Sequence, residues 1–112
     1  MDDYDYVIVG AGSAGCVLAA RLSEDPDARV LLLEAGGEAA GIEAIADPRL
    51  WPANAKTDVD WGYDTEVQAG TGRSHPFLRG RVVGGSSAIN AMMFLRGDPT
   101  VYDSWASAGN PG

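Results

Sequence analysis

The run Tyr6-Val7-Ile8-Val9-Gly10-Ala11-Gly12-Ser13-Ala14-Gly15-Cys16-Val17-Leu18-Ala19-Ala20 restricts this chain more than any other stretch. An apolar, β-type segment breaks into three glycines at G-x-G-x-x-G spacing, and an alanine-rich helical segment follows at once. In a strand-turn-helix the three glycines do different things. Gly10 makes the tight turn, Gly12 lets the backbone come close to a pyrophosphate, and Gly15 allows close helix-strand packing. A helix opening near Ser13 directs free backbone N–H groups, and roughly half a positive charge from its dipole, at an anion.

The segment Arg29-Val30-Leu31-Leu32-Leu33-Glu34 is continuously apolar up to its acid, which predicts a second, parallel strand covered on both faces. Glu34 stands 19 positions after Gly15, near the ~20 at which a carboxylate meets the adenosine ribose. Strand, glycine turn, helix, strand and acid in this order predict a dinucleotide-binding βαβ unit; the competing reading is a glycine-rich turn with no ligand. The first strand is expected at about residues 4–9, after a polar lead at residues 2–5. The helix is expected at about residues 13–24, with Cys16, Ala19, Ala20 and Leu22 at packing positions. Asp25-Pro26-Asp27 ends it, because proline cannot continue a helix and disfavours helix in the residue before it.

With 112 residues, 46% hydrophobic and 21% charged, the chain has the composition of at most one domain. One βαβ unit cannot bury both faces of its own strands, and the chain stops at Asn110-Pro111-Gly112 just after a helix. Residues 1–112 therefore read as the front portion of an incomplete, doubly wound α/β domain. Sixteen acids against eight basic residues, a net charge of −8, argue against nucleic acid and anionic membranes as partners. Residues 73–97 nevertheless lack Asp and Glu and carry Arg73, Arg79, Arg81, Arg96 and His75, which suits either an anionic ligand or a solvated face. The single cysteine, Cys16, offers no internal disulfide and reads as a buried, inert thiol. Asp2, Asp3 and Asp5 stand where a signal peptide carries basic residues, and no stretch is long and apolar enough to span a bilayer, so a cytoplasmic location is expected.

Residues 35–41 are too glycine-rich for a regular element. A short helix is expected around residues 42–46, with Pro48, Trp51 and Pro52 marking an irregular exit. Residues 59–67 alternate apolar and polar, predicting a half-buried strand with Trp61 and Tyr63 on one face as packing rather than cofactor-stacking groups. A loop follows at residues 68–76. The second informative stretch is Arg79-Gly80-Arg81-Val82-Val83-Gly84-Gly85-Ser86-Ser87-Ala88-Ile89-Asn90. Its diglycine permits positive φ. Ser86 or Ser87 is then placed to cap a short helix through Asn90 that offers N–H groups to an anion, with Arg81 adding charge nearby; a glycine bend before an ordinary helix is the alternative. Asp98, Pro99 and Gly109 mark the start and end of a last helix, whose Val101, Tyr102 and Trp105 share a face expected to pack in a core.

Two separated motifs carry a family resemblance. The stretch G-R-V-V-G-G-S-S-A-I-N-A-M-M-F-L-R-G-D-P-T-V-Y-D, Gly80 to Asp103, closely resembles the signature of the glucose-methanol-choline oxidoreductases. The opening D-Y-V-I-V-G-A-G-S-A-G with L-L-L-E-A-G-G resembles the same family's flavin-binding start, particularly its choline and alcohol dehydrogenase-like members. The resemblance implies a Rossmann-like FAD-binding βαβ unit with irregular glycine-rich extensions, in an enzyme that oxidises a small-molecule alcohol by hydride transfer to FAD; the electron acceptor stays open.

On matching positions, Gly10, Gly12, Ser13, Ala14 and Gly15 would hold the diphosphate, and Glu34 with the Ala35 backbone the ribose. Val83, Gly85, Ser86, Asn90, Ala91, Met92 and Met93 would lie along the diphosphate and flavin ring, and the segment from Trp61 to Glu66 with the loop after it would cover the cofactor. Some members attach the flavin through a histidine immediately before the equivalent of Asn90; Ile89 stands there, which implies noncovalent FAD. The family's proton-accepting histidine and its partner match nothing within residues 1–112, so no catalytic residue is expected here and this stretch alone should be inactive. His75 does not match that motif and reads as a surface residue. Three other readings compete: a nicotinamide dehydrogenase, a lyase-type member that keeps FAD without redox use, and a fragment without activity.

Overall fold

The computed structural model describes residues 3–110; Asp2 of the polar lead and the closing Pro111-Gly112 lie outside the described residues. The architecture is α/β. Strand β1 (Tyr6–Val9) leads through a glycine turn into helix α1 (Ser13–Leu22), and the chain returns as β2 (Val30–Leu33). The strands are parallel, with Tyr6 opposite Val30 and Val9 opposite Leu33. Ahead of β1, the Asp5 amide donates to the Arg29 carbonyl (2.9 Å) while its carboxylate accepts from the Arg29 amide (2.8 Å); the strand itself begins at Tyr6, two residues later than expected. Helix α1 stops two residues short of the expected end because Asp25 accepts from the amide of Asp27 (3.0 Å) and closes the Pro26 turn locally.

The expectation of a sheet covered on both faces is not met among the described residues. Val9 is 83% exposed, and Val7, Leu32 and Leu33 are also exposed. The radius of gyration is 18.5 Å, against about 13 Å for a compact domain of about 100 residues. The buried core lies instead under the second glycine stretch, where Val59, Val82 and Ile89 cluster with Ala39, Ile42, Ile45, Leu78 and Ala88 packed around them.

Helix α2 (Glu43–Ala46) forms where a short helix is expected, but its exit is regular: Pro48–Asn54 is a 3-10 helix. The Asp47 side chain starts it by accepting from the amide of Arg49 (2.9 Å), and the buried Asn54 side chain ties it back to the carbonyl of Ala44 (2.8 Å). The single strand expected at residues 59–67 is an interrupted hairpin. Asp60 bridges Gly80, then β3 (Tyr63–Asp64) pairs antiparallel with β4 (Pro76–Phe77), and Gln68 bridges Arg73. Gly62, at φ +68°, breaks the run between Asp60 and Tyr63, a conformation that strand residues other than glycine avoid. Trp61 and Tyr63 do share a face, their rings stacked 6.0 Å apart.

Helix α3 (Ser86–Ile89) ends one residue before the expected Asn90, and α4 (Pro99–Ser107) closes the described fold. Asp98 caps α4 as expected, accepting from the Thr100 amide (2.9 Å), and Gly109 turns the chain at φ +89°. The expected core role of Val101, Tyr102 and Trp105 is corrected: all three are exposed, with Tyr102 and Trp105 in edge-to-face contact at 5.1 Å and no layer of the described fold above them. Among the described residues no helix is long and apolar enough to cross a membrane.

Candidate functional site

The two glycine stretches meet. A Cβ built on Gly12 would lie 4.0 Å from the Cα of Gly85, and one built on Gly85 would lie 2.8 Å from the Cα of Gly12. The amide of Gly84 donates to the carbonyl of Ala11 (2.7 Å), so backbone joins backbone. Gly84 and Gly85 have φ of +96° and +58°, the left-handed region the diglycine permits. Under the first turn, a Cβ on Gly15 would overlap the carbonyl oxygen of Gly10. That is the close helix-strand contact the third glycine of the motif provides.

The junction opens into a cleft of about 560 Å³ lined by Val9, Gly10, Gly12, Leu33, Glu34, Ala35, Trp61, Gly80, Gly85 and Ser86. Its volume falls within the ~300–1,000 Å³ of small-molecule and cofactor sites. Glu34 supplies the charged side chain of this lining. One carboxylate oxygen accepts from the amide of Ala11 (2.7 Å) and the other from that of Gly36 (2.9 Å). These backbone donors, Gly36 first and then Ala11, hold the carboxyl below its ordinary value of 4.5 against a smaller opposing effect of burial. Glu34 thus fixes the first glycine turn from beneath while facing the cleft. The first turn of α1 carries no acid, which leaves its amides electrostatically open to an anion.

Of the positions expected to hold a cofactor, Gly10, Gly12, Glu34, Ala35, Gly85 and Ser86 line this one cleft. Ser13 and Ala14 begin α1 beside it, and Gly15 is buried beneath. Val83 is not in the lining; its amide donates to the carbonyl of Gly37 (2.9 Å), joining the two glycine-rich segments. Asn90, Ala91, Met92 and Met93 follow α3 and are not in the lining either. The Asn90 side chain accepts from the amide of Met92 (2.8 Å), which holds Met92 at φ +51°, and Met93 is 78% exposed.

Two expectations are corrected. Neither Ser86 nor Ser87 caps α3: Gly85 is the N-cap, the Ser86 hydroxyl accepts from the amide of Gly80 (3.0 Å), and the Ser87 hydroxyl donates to the carbonyl of Gly84 (2.7 Å). Neither Arg79 nor Arg81 is among the residues lining the cleft. Arg79 lies over the Phe77 ring and donates to the carbonyl of Leu78 (2.7 Å), while Arg81 donates to the carbonyl of Asp58 and lies 5.7 Å from the centre of the Trp61 ring. Trp61, which opens the segment the resemblance sets over the cofactor, is in the lining, and so is Gly80, which the sequence does not single out as a cofactor residue. For Gly80 the sign is geometric: a Cβ there would overlap the backbone of Gly85. Cys16 is half-buried, its thiol 3.2 Å from the carbonyl of Ala11, and His75 pairs with the Thr71 hydroxyl (2.9 Å) away from the cleft lining.

A family model described as GMC oxidoreductase matches residues 4–112. The chain belongs to the GMC oxidoreductase family. It is 50% identical over 119 aligned residues to the mitochondrial choline dehydrogenase of Homo sapiens, covering 99% of this chain and 20% of that protein. The crystal structure of pyridoxine 4-oxidase from Mesorbium loti superposes with a TM-score of 0.79 at 53% identity, over 94% of this chain and 21% of that one. An FAD-dependent oxidoreductase from Chaetomium thermophilum gives a TM-score of 0.68 at 41% identity, over 98% of this chain and 19% of that one. This GMC chain spans about a fifth of the length of the curated relatives it matches.

Proposed function

We propose that the chain is the FAD-binding portion of an oxidoreductase that oxidises a small-molecule alcohol CH–OH group. The observation that carries this reading is the contact of Gly12 with Gly85 above a single cleft, in a GMC family chain. Family membership favours flavin over a nicotinamide. The relatives named above, a dehydrogenase, an oxidase and an FAD-dependent oxidoreductase, favour redox chemistry over the lyase reading.

The residues present fit the cofactor. A diphosphate needs N–H donors at close approach, and a Cβ on Gly12 or Gly85 would fill part of the space between the two turns. The opening of α1 at Ser13, Ala14 and Gly15 supplies amides without an acid in the first turn. Glu34 and the backbone of Ala35 would take the ribose, and Trp61 would screen that end from water. Val83, Gly85, Ser86, Asn90, Ala91, Met92 and Met93 would follow the diphosphate towards the flavin ring. Bound FAD would accept the hydride of the alcohol; amides beside its ring would steady the negative charge of the reduced form. In this reading β1, α1 and β2 begin a Rossmann-like, doubly wound sheet, and residues 1–112 form the N-terminal part of its domain.

The experiment is spectroscopic. The full-length protein that carries this chain should purify with FAD absorbance that bleaches when an alcohol substrate is added without oxygen. A colourless protein that takes up no added FAD overturns the reading, and bound flavin that no alcohol reduces would leave the binding role and remove the redox one.

A further inference from the structure

The Ser13 hydroxyl lies 2.8 Å from that of Ser87, a side-chain bond between the two glycine stretches across 74 positions of sequence. Which serine donates follows from a count of hydrogens. Ser87 also lies 2.7 Å from the carbonyl oxygen of Gly84, an acceptor that has no hydrogen to give. A serine hydroxyl has one hydrogen, so that of Ser87 is committed to Gly84. The hydrogen between the two serines therefore comes from Ser13. The order is Ser13 hydroxyl to Ser87 oxygen, and Ser87 hydroxyl to Gly84 carbonyl, in parallel with the bond from the Gly84 amide to Ala11.

Resting on the FAD-binding reading above, we infer that Ser13 and Ser87 form a hydroxyl latch that holds the Gly12 turn against the Gly85 turn, and that Ser13 is a positioning residue rather than a phosphate ligand through its side chain. With its hydrogen given to Ser87, the Ser13 hydroxyl has none left to donate to a phosphate. Anion binding at this turn then falls to the amides that open α1, whose direction the latch fixes. Ser87, outside the cleft lining, matters as much as Ser13 beside it. A latch that keeps the binding-competent arrangement populated raises apparent affinity by that fraction alone.

The test is a double-mutant cycle on FAD affinity in the full-length protein, stripped of flavin and titrated with FAD by flavin fluorescence, with thermal unfolding as a check on folding. Ser13→Ala and Ser87→Ala should each weaken binding by about fivefold, the worth of one ordinary hydrogen bond, and the double variant should be no weaker than either single one. Ser87→Thr, which keeps the hydroxyl, should restore affinity to within about twofold of wild type and serves as the test if an alanine variant fails to fold. A Ser13→Ala loss without a matching Ser87→Ala loss, losses that multiply in the double variant, no loss in either, or no rescue by threonine would each overturn the latch. Failure of the wild-type protein itself to bind FAD would instead strike the function on which the latch rests.

Discussion

Gly15 sits directly beneath Gly10, so close that any side chain on Gly15 would occupy the space of the Gly10 carbonyl oxygen. Helix α1 can approach β1 only because that position is bare. Gly15→Ala must therefore move backbone, and overpacking of this kind typically costs about 1–3 kcal/mol or more. Gly37 is the control, since a Cβ there meets nothing within 4 Å. Gly37→Ala is expected to stay within about 0.5 kcal/mol of wild type. Equilibrium denaturation of both variants checks the contrast, and equal effects would show that α1 does not depend on this contact.

Acid should loosen the first glycine turn through Glu34. The amides of Gly36 and Ala11 depress its folded value below 4.5. A depressed carboxyl contributes stability that is fully present above its unfolded value and is lost as pH falls through the folded one. The stability difference between wild type and Glu34→Gln should thus be flat above the ordinary value of 4.5 and shrink below it. Melting temperatures of both proteins across about pH 3 to 7 check this; a difference independent of pH would mean the carboxylate is not held as described.

FAD affinity should depend little on salt. Arg79 and Arg81 are engaged with Phe77, Leu78, Asp58 and Trp61, and the cleft lining contains neither lysine nor arginine. Neutral amides, unlike exposed cations, lose little to screening. Raising ionic strength from about 0.05 to 0.5 M is expected to change the dissociation constant less than about threefold. A tenfold change would point to a cation at the phosphates.

Denaturation should release all of the flavin. Ile89 stands where some family members carry an attaching histidine; its aliphatic side chain has no nucleophile, and at 1% exposure it belongs to the core with Val59 and Val82. Acid precipitation of the full-length holoprotein should leave intact FAD in the supernatant and a colourless pellet. Yellow protein in the pellet would contradict a noncovalent cofactor.

What the sequence disclosed was local. The spacing of Gly10, Gly12 and Gly15, the apolar run before Glu34, and the Asp98-Pro99 start of α4 each act within a few residues, and each lies where it is expected. The differences arise where the fold offers a side chain another partner, or leaves a face uncovered among the described residues. Ser86 and Ser87 have the chemistry of helix caps, but the amide of Gly80 and the carbonyl of Gly84 reach them first. Arg79 and Arg81, two of the arginines of residues 73–97, look like part of an anion site only until Phe77, Trp61 and Asp58 engage them. Val101, Tyr102 and Trp105 have the spacing of a buried face, but spacing says nothing of what covers it. The alternation around Trp61 reads as packing and only the family resemblance sets its segment over the cofactor; the hairpin brings it into the cleft lining.

The bond between Ser13 and Ser87 spans 74 positions, and the Gly12–Gly85 contact is of similar reach. A chain emerging from the ribosome displays the G-x-G-x-x-G turn early, yet the opposing wall is still unmade until Ser87 has cleared the exit. Closing so long a loop is slow relative to forming α1, because distant pairings must meet their entropy cost before any contact rewards them. Cofactor capture is thereby postponed until both walls are folded, and the nascent α1 waits with its amides in water.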